Sequence, residues 1–291
     1  MIIKKIIDIL SEQYKKTFFI KYNKLNSFAL ASVEWVIRIF NILPKNSIQI
    51  VNGVKMNLDY YTPYKAYQRY FSQYEHEQIN FFIEMLKKGD RVLDIGAYQG
   101  DYALVAAKKV GKEGKVYAFE PDPDRYKLLR KNIELNGFTN IEALEIGCSD
   151  EDGYVNYDCN TKIPLLGEYK GKYVPKFIRI KTVTVDSFLK LKNLTPKIIK
   201  IDIEGWELLA LRGMQNTLEK NITLFLELHP TFLPKGQDDI EEIIKLLDEK
   251  KFKIFDWEDK SLINPKNKYQ YTKDKLTWYV LATKEPDLKI A

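Results

Sequence analysis

Carboxylates and a histidine end two apolar runs of this chain, and in each run the two polar residues are two positions apart. Asp202 and Glu204 follow one run, and Glu227 and His229 end the next. Residues two apart along a strand point to the same face, and ligands of open α/β sheets bind outside the carboxyl ends of the strands. We therefore expect three carboxylates and an imidazole to meet at one sheet edge. Such a group can activate an alcohol, which is a poor nucleophile until a base or a metal acts on it.

His229 is the natural base of this group, since it is one of only two histidines and an imidazole titrates near neutral pH. We predict that it acts with Asp202 and Glu227 as catalytic residues. The alternative is a divalent cation such as Mg2+, held by Asp202, Glu204 and Glu227 through their oxygens. We favour the base and predict no metal, because the two short patterns lack the extra Asp pair of an octahedral site. Glu204 could instead cap the helix that follows it.

A glycine turn lies upstream, in RVLDIGAYQG at residues 91–100. Gly96 and Gly100 let the backbone approach a ligand, and the free amides of the next helix attract a negative group. Asp94 would repel the pyrophosphate of a dinucleotide, and the spacing is not G-x-G-x-x-G, so NAD is disfavoured. The ammonium and sulfonium of S-adenosylmethionine favour a nearby carboxylate instead. Glu120 ends the next strand, where a ribose needs an acceptor for its two hydroxyls.

Apolar runs alternate with helical segments from residue 91 onwards, which is typical of a parallel sheet. We predict a Rossmann-like α/β domain with a seven-stranded, doubly wound sheet. Its strands are expected at residues 91–95, 116–120, 141–146, 198–203, 224–228, 253–256 and 277–283, and its main helices at residues 102–110, 124–136, 207–220 and 238–250.

The rest of the chain divides around this domain. Residues 1–70 are predicted to form an N-terminal helical segment with a small hairpin at Asn52-Gly53, and residues 71–291 the main domain. Residues 153–194 break the alternation and predict a β insertion. Residues 1–43 are apolar at helical spacing but carry no run long enough for a membrane span, so we expect them to serve self-association into a homo-oligomer or peripheral contact with a membrane.

Composition narrows the class of protein. The two cysteines, Cys148 and Cys159, are too few for a secreted disulfide framework, which favours the cytoplasm. The formal charge of +6 is modest, and only seven of the 46 basic residues are Arg, the residue on which nucleic-acid readers depend. We therefore expect a small-molecule or glycan partner rather than a nucleic acid.

Five stretches resemble the FkbM family of S-adenosylmethionine-dependent methyltransferases, in that family's order. They are VLDIGAYQGDYALVAAKKVG, VYAFEPDPDRYKLLRKNIELNG, TVDSF, IIKIDIEGWELLALRGM and LFLELHP, within residues 74–230. The resemblance implies a methyltransferase domain that O-methylates a hydroxyl of a sugar, a glycan or another secondary metabolite. The family commonly has Asn where this chain has Tyr98. On the matching positions, we expect the cofactor to contact Glu75, Asp94, Gly96, Ala97, Tyr98, Gly100, Glu120, Pro121, Cys148 and Asp202.

Two other functions stay open. An RNA-modifying methyltransferase is indicated only by the basic pI near 8.9 and by the aromatic residues at 60–74, which could stack bases. Such enzymes ordinarily carry N/D-P-P-Y/F where this chain has Asp-Ile-Glu-Gly, at residues 202–205. A non-catalytic binding module on the same fold would be expected to have a damaged cofactor turn, whereas Asp94, Gly96, Gly100 and Glu120 are all intact.

Overall fold

The computed structural model describes residues 48–57, 75–158, 163–164, 177–265 and 277–285. The chain divides into two compact units, Met1–Phe82 and Ile83–Ala291. In the first unit, strands β1 (Ile48–Val51) and β2 (Val54–Asn57) pair antiparallel. The two residues between them have φ angles of 49° and 79°, as a two-residue turn requires, so the predicted hairpin is confirmed. The predicted helices of residues 1–43 and the aromatic segment at 60–74 lie outside the described residues.

The second unit contains the remaining strands. In chain order they are β3 (Arg91–Ile95), β4 (Lys115–Phe119), β5 (Ile141–Leu144), β6 (Gly147–Cys148), β7 (Gly153–Asp158), β8 (Ile163–Pro164), β9 (Phe177–Val183), β10 (Ile198–Ile201), β11 (Thr223–Leu228), β12 (Lys253–Asp256) and β13 (Trp278–Thr283). The strands near the middle of the main sheet are mostly apolar and mostly buried, and β10 is buried over its whole length. Burial on both faces is what a parallel sheet covered by helices requires.

Seven of these strands form one sheet in the order β12-β13-β11-β10-β3-β4-β5. All neighbours are parallel except β13, which runs antiparallel to both β11 and β12. The predicted Rossmann-like, doubly wound α/β fold is confirmed. From β3 the chain continues to β4 and β5 on one side, and β10 and β11 lie on the other. The ends of β3 and β10 therefore flank the switch point at which open α/β sheets bind ligands.

Among the described residues, one helix precedes β3 and five lie between later strands. They are α1 (His76–Met85), α2 (Asp101–Val110), α3 (Pro123–Asn136), α4 (Val185–Lys192), α5 (Glu207–Arg212) and α6 (Gln237–Glu249), with a 3-10 turn at Thr217–Glu219. Local sequence sets several of their ends. The Asp122 carboxylate caps α3 by accepting hydrogen bonds from the amides of Asp124 and Arg125, at 2.9 and 3.0 Å. Gly137 ends α3 in the left-handed conformation, with a φ of 63°.

The predicted helix over residues 207–220 is wrong in length, because α5 ends at Arg212. The cause is tertiary. The carbonyl of Gly213 accepts a hydrogen bond from the amide of Asp186, and the Asp186 carboxylate binds the amides of Asn216 and Thr217. A Cβ on Gly213 would lie 2.0 Å from the carbonyl oxygen of Ser149, so the backbones approach closely here. These bonds divert the chain from the helix.

Strands β7, β8 and β9 of the β insertion form a small sheet together with β6, in the order β6-β9-β7-β8. The sequence predicted only strands for residues 153–194, whereas the structure adds helix α4, whose cap Thr184 accepts a hydrogen bond from the amide of Ser187. Two predicted strands end early, at Leu144 and at Ile201 rather than residues 146 and 203. Strand β10 stops because a turn with positive φ at Glu204 and Gly205 follows it.

Within the part of the chain that the structure describes, no helix has the length and apolar character needed to cross a bilayer.

Candidate functional site

The glycine turn after β3 packs directly against the end of β10. Gly96 has a φ of 86°, and a Cβ built on it would lie 1.8 Å from the carbonyl oxygen of Asp202. The amides of Gly96 and Ala97 both donate to the carbonyl of Phe119 at the end of β4, at 3.0 and 2.9 Å. Only glycine fits this position, since any side chain would collide with the neighbouring backbone. The turn therefore joins the ends of three adjacent strands.

Asp94 is the buried carboxylate of this turn. Its side chain is 1% exposed, and neither oxygen completes a hydrogen bond with any of the described residues, although the amide of Ala103 lies near enough to favour the charged form. Burial raises the pKa of Asp94 to about 6, against the lowering effect of the Lys200 ammonium. A buried carboxylate without a hydrogen-bond partner is costly and fits a cationic ligand group. Asp94 can thus hold the positively charged methionine end of S-adenosylmethionine.

Glu120 follows β4 and is held from two sides. Its Oε2 accepts a hydrogen bond from the amide of Tyr98 at 2.8 Å, and its Oε1 accepts one from the amide of Asp122 at 2.9 Å. Burial raises the pKa of Glu120 to about 7, although the Arg125 guanidinium opposes the shift. A carboxylate has about four acceptor sites, so each oxygen can still accept from a ribose hydroxyl. The role of Glu120 as the ribose acceptor stays a prediction.

The other predicted cofactor contacts lie around this corner or outside it. Tyr98 has a φ of 51°, and the guanidinium of Arg125 lies 4.8 Å from its ring centroid. Pro121 is half-buried next to Glu120, whereas the thiol of Cys148 is buried in the apolar core, which raises its pKa. Glu75 falls in the first unit, with a φ of 46°. The cofactor roles of these residues stay predictions.

His229 lies among carboxylates at the ends of β10 and β11. Its Nε2 is 3.8 Å from Asp202 Oδ1, 3.9 Å from Glu204 Oε2 and 3.8 Å from Glu227 Oε1. The structure thus brings together all four residues that the sequence predicted at this edge. The reason differs from the prediction for Glu204, because it sits in a left-handed turn after β10, with a φ of 55°, rather than on the strand. The turn, not strand alternation, aims it at the imidazole.

Electrostatics favour a positive charge on His229. Burial alone would lower its pKa, but the hydrogen bond to Glu207 and the charge of Asp202 raise the pKa to about 9. Burial also tends to raise the pKa of Asp202, yet the charges of Lys200 and His229 lower it. Burial raises the pKa of Glu204. The surrounding carboxylates therefore favour the protonated, positively charged form of the His229 imidazole.

Two charged residues of this site were not predicted as functional. Lys200 is buried in the middle of β10, where its Nζ lies 3.0 Å from Asp202 Oδ2 and 4.5 Å from the ring centroid of Tyr102. Glu207 is fully buried at the start of α5, with its Oε1 3.0 Å from Nδ1 of His229. A lysine inside an apolar strand is a sequence signal, because such a charge needs a partner. Glu207 gives no such signal, since an acidic residue in a first helical turn is ordinary.

The same atoms meet the distance requirement for a cation. Asp202, Glu227 and His229 each offer one ligand atom, and these atoms lie within 4.8 Å of one another. This set has the imidazole in place of Glu204, the third carboxylate of the predicted cation site. Tyr279 donates a hydrogen bond to Glu227 Oε1 at 3.1 Å and so restrains that carboxylate.

Comparison with known proteins identifies the family. The family model described as the methyltransferase FkbM domain matches residues 94–254, more than half of the chain. Hexuronic acid methyltransferase AglP of Haloferax volcanii is 29% identical over 178 residues, which cover 61% of this chain and 69% of AglP. Methyltransferase sdnD of Sordaria araneosa is 27% identical over 207 residues, covering 59% of this chain and 77% of sdnD.

Among solved structures, a SAM-dependent O-methyltransferase from Thermotoga maritima aligns with a TM-score of 0.41 and 18% identity, over 71% of this chain and 64% of that one. The family match covers the glycine turn, Glu120 and the ends of β10 and β11, where the carboxylates surround His229. It confirms the resemblance seen in the sequence. The chain belongs to the FkbM family of S-adenosylmethionine-dependent methyltransferases.

Proposed function

We propose that this methyltransferase transfers its methyl group to a hydroxyl oxygen of a sugar, free or within a glycan, with His229 as the general base. The observation that carries the proposal is the position of His229 Nε2, which faces Asp202, Glu204 and Glu227 at 3.8–3.9 Å beside the cofactor turn. The similarity to AglP, which is named as a hexuronic acid methyltransferase, supports a sugar as the acceptor.

The chemistry divides between the cofactor and the chain. S-adenosylmethionine supplies an electrophilic methyl group, and the chain must bind it, orient the acceptor and take up the hydroxyl proton. Asp94 and Glu120 would hold the methionine and ribose ends. Nε2 of His229 would accept the proton of the hydroxyl, and Asp202 and Glu227 would stabilise the resulting imidazolium. A positioned base of this kind contributes about 10²- to 10⁴-fold to the rate.

The surface beside His229 suits a sugar ring. Phe232 is 47% exposed, and its ring centroid lies 6.1 Å from that of His229. An exposed aromatic ring next to the base offers an apolar face on which the C–H face of a sugar can rest. The neighbouring carboxylates of Asp202 and Glu204 can accept hydrogen bonds from its remaining hydroxyls. An exposed ring can also stack a nucleobase, so Phe232 by itself does not decide the acceptor, and we put a sugar ahead of RNA because of the similarity to AglP.

A divalent cation is the alternative activator. The atoms of Asp202, Glu227 and His229 are close enough to bind one, and it would take the place of the proton at Nε2. Activity should separate the two mechanisms. If His229 is the base, turnover persists in EDTA and rises with pH, and His229→Ala lowers turnover by about 10²-fold or more without weakening cofactor binding. Loss of turnover in EDTA that Mg2+ restores would overturn the base mechanism.

The acceptor is tested by methyl transfer from labelled S-adenosylmethionine. The protein is incubated with a glycan that contains hexuronic acid, with a neutral oligosaccharide and with total RNA, and the label is located after hydrolysis. We expect an O-methyl sugar from a glycan, and much less of it with Asp94→Asn or His229→Ala. Label in RNA alone, or label that enters no acceptor in spite of tight cofactor binding, would contradict the proposed sugar acceptor.

A further inference from the structure

We propose that Glu207 is the positioning residue of His229, fixing the ring so that its Nδ1 carries the proton and its Nε2 is left to face the acceptor. The inference rests on the proposed function of His229 and deepens it. Glu207 begins helix α5 and contacts His229 from across the site, 22 positions earlier in the chain. Among the described residues, Glu207 makes no hydrogen bond to Asp94 or Glu120, the carboxylates predicted to bind the cofactor.

The contact assigns the tautomer. Oε1 of Glu207 lies 3.0 Å from Nδ1 of His229, and the same oxygen accepts a hydrogen bond from the amide of Gly205 at 3.0 Å. A carboxylate can only accept, so Nδ1 must donate. In a neutral imidazole one nitrogen is then bare, and it is Nε2. Oε2 of Glu207 is buried with no hydrogen bond among the described residues, so the bonds of Oε1 to His229 and Gly205 are what compensates the buried carboxylate.

Among the four carboxylates, only Glu207 reaches His229 at hydrogen-bond distance. The other three face Nε2 at 3.8–3.9 Å, which is too far to fix the plane of the ring. They act on the imidazole through charge, whereas Glu207 acts through a directed bond. Ring orientation therefore depends on Glu207.

Both partners of this bond are fixed by their backbones. Gly205 has a φ of 98°, and a Cβ on it would lie 2.5 Å from the carbonyl oxygen of Phe232. The carbonyl of His229 in turn accepts hydrogen bonds from the amides of Phe232 and Leu233, at 2.8 and 3.1 Å. The turn at Gly205, just before Glu207, and the turn that follows His229 therefore pack against each other. This rigidity is what a second group needs if it is to hold a catalytic one in place.

A purely structural role is the competing explanation, in which Glu207 only satisfies the amide of Gly205. The two roles differ in their effect on the imidazole. Replacing Glu207 by Gln keeps the size of the side chain. Because Gly205 and Nδ1 share Oε1, an unflipped amide still accepts from both but without the negative charge, whereas a flipped amide presents a donor to Nδ1 and leaves Gly205 without that acceptor. A positioning role predicts that the tautomer of His229 becomes mixed. A structural role predicts that it does not change.

The test is 1H–15N correlation spectroscopy of the imidazoles in the full chain with EDTA present, at a pH high enough to populate neutral His229. The chain has only two histidines, and His76→Asn removes the exposed one, so the remaining signal is assigned without ambiguity. We expect a proton on Nδ1 and a bare Nε2 in the wild type, and a mixture in Glu207→Gln. The matched control is Glu242→Gln, which removes an exposed carboxylate paired with Arg212 and should change nothing.

Kinetics give a second reading. Glu207→Gln should lower kcat by about 10- to 100-fold, the usual cost of losing a residue that orients another, with the KM for S-adenosylmethionine unchanged within about twofold. A wild-type imidazole protonated on Nε2 would overturn the inference, and so would an unchanged tautomer and kcat in Glu207→Gln. If Glu207→Gln does not fold, Glu207→Asp takes its place, because the shorter side chain keeps the charge but draws the carboxylate away from Nδ1, and the same two readings apply. A protein that shows the expected tautomers but methylates no sugar would refute the proposed function and leave this inference standing.

Discussion

Replacing Asp94 by Asn should remove a defined part of the pH dependence of cofactor binding. In the protein without ligand, burial raises the pKa of Asp94 to about 6, against the opposing charge of Lys200. A cationic ligand group binds the ionised carboxylate. Affinity for S-adenosylmethionine should therefore rise as the pH rises through 6, since the raised pKa keeps Asp94 protonated and neutral below that point.

The size of the effect follows from that pKa. With a value of about 6, roughly one tenth of Asp94 is ionised at pH 5 and roughly nine tenths at pH 7. The Asp94 part of the affinity then changes about tenfold between these pH values, or about 1.4 kcal/mol. At pH 7, Asp94→Asn should also weaken binding by about 1.5 to 3 kcal/mol, the range for a hydrogen bond to a charged group.

Isothermal titration calorimetry at pH 5 and pH 7 measures both effects. Glu120 also has a raised pKa, so Asp94 is not the only source of pH dependence. The quantity to compare between proteins is therefore the Kd at pH 5 divided by the Kd at pH 7. The wild-type Kd at pH 5 divided by that at pH 7 should exceed the same quotient for Asp94→Asn by about tenfold. In Glu120→Gln, by contrast, the part that belongs to Asp94 should persist.

Equal quotients in wild type and Asp94→Asn would refute the reasoning, because Asp94 would then not titrate against the cofactor. Unchanged affinity at pH 7 in a folded Asp94→Asn would go further and remove the cofactor cation from this end of β3. A larger pH effect in the variant than in the wild type would show that the sign is wrong.

Three further predictions concern stability and assembly. Gly96→Ala should destabilise the protein by about 3 kcal/mol or more, because of strain at positive φ and collision with the Asp202 backbone. The control is Gly89→Ala, which has the same strain, at a φ of 85°, but no atom within 4 Å of the added Cβ. Equal losses of melting temperature in the two variants would contradict the collision. The pKa of His229 is raised from 6.5 to about 9, so His229 should contribute about 3 kcal/mol to the free energy of unfolding below pH 6.5 and lose this contribution as the pH rises through 9. Urea unfolding of wild type and His229→Gln at pH 6 and pH 9.5 measures it. A difference in unfolding free energy between the two proteins that is the same at both pH values would refute the prediction. Deleting residues 1–43 should leave cofactor binding intact and change either the oligomeric state or partitioning to liposomes; a truncated protein that simply unfolds would show the segment to be part of the core.

Short-range patterns were sufficient to predict much of the fold and the cofactor turn. The turn between β3 and α2 depends on Asp94, Gly96 and Gly100, which are close in sequence. Their roles are local, because they mark the end of the strand, adopt a positive φ at the two glycines and allow the backbone to approach its neighbours closely. The Asn52-Gly53 hairpin is local for the same reason. Apolar runs broken by helical segments predicted the seven strands of the sheet, because burial on both faces leaves a pattern within each strand, but they did not predict that β13 runs antiparallel to its neighbours.

Only the tertiary structure decided how these pieces act on one another. Strand order placed β3 beside β10, which put Lys200 next to Asp94 and the Asp202 backbone against Gly96. The contact between Glu207 and His229 joins residues far apart in the chain, and helix α5 is short because tertiary partners take its backbone groups. Burial then raised the pKa of Asp94, and a directed bond with nearby charge raised that of His229. Desolvation and charge proximity depend on what surrounds a side chain in three dimensions, which residue type and spacing do not specify.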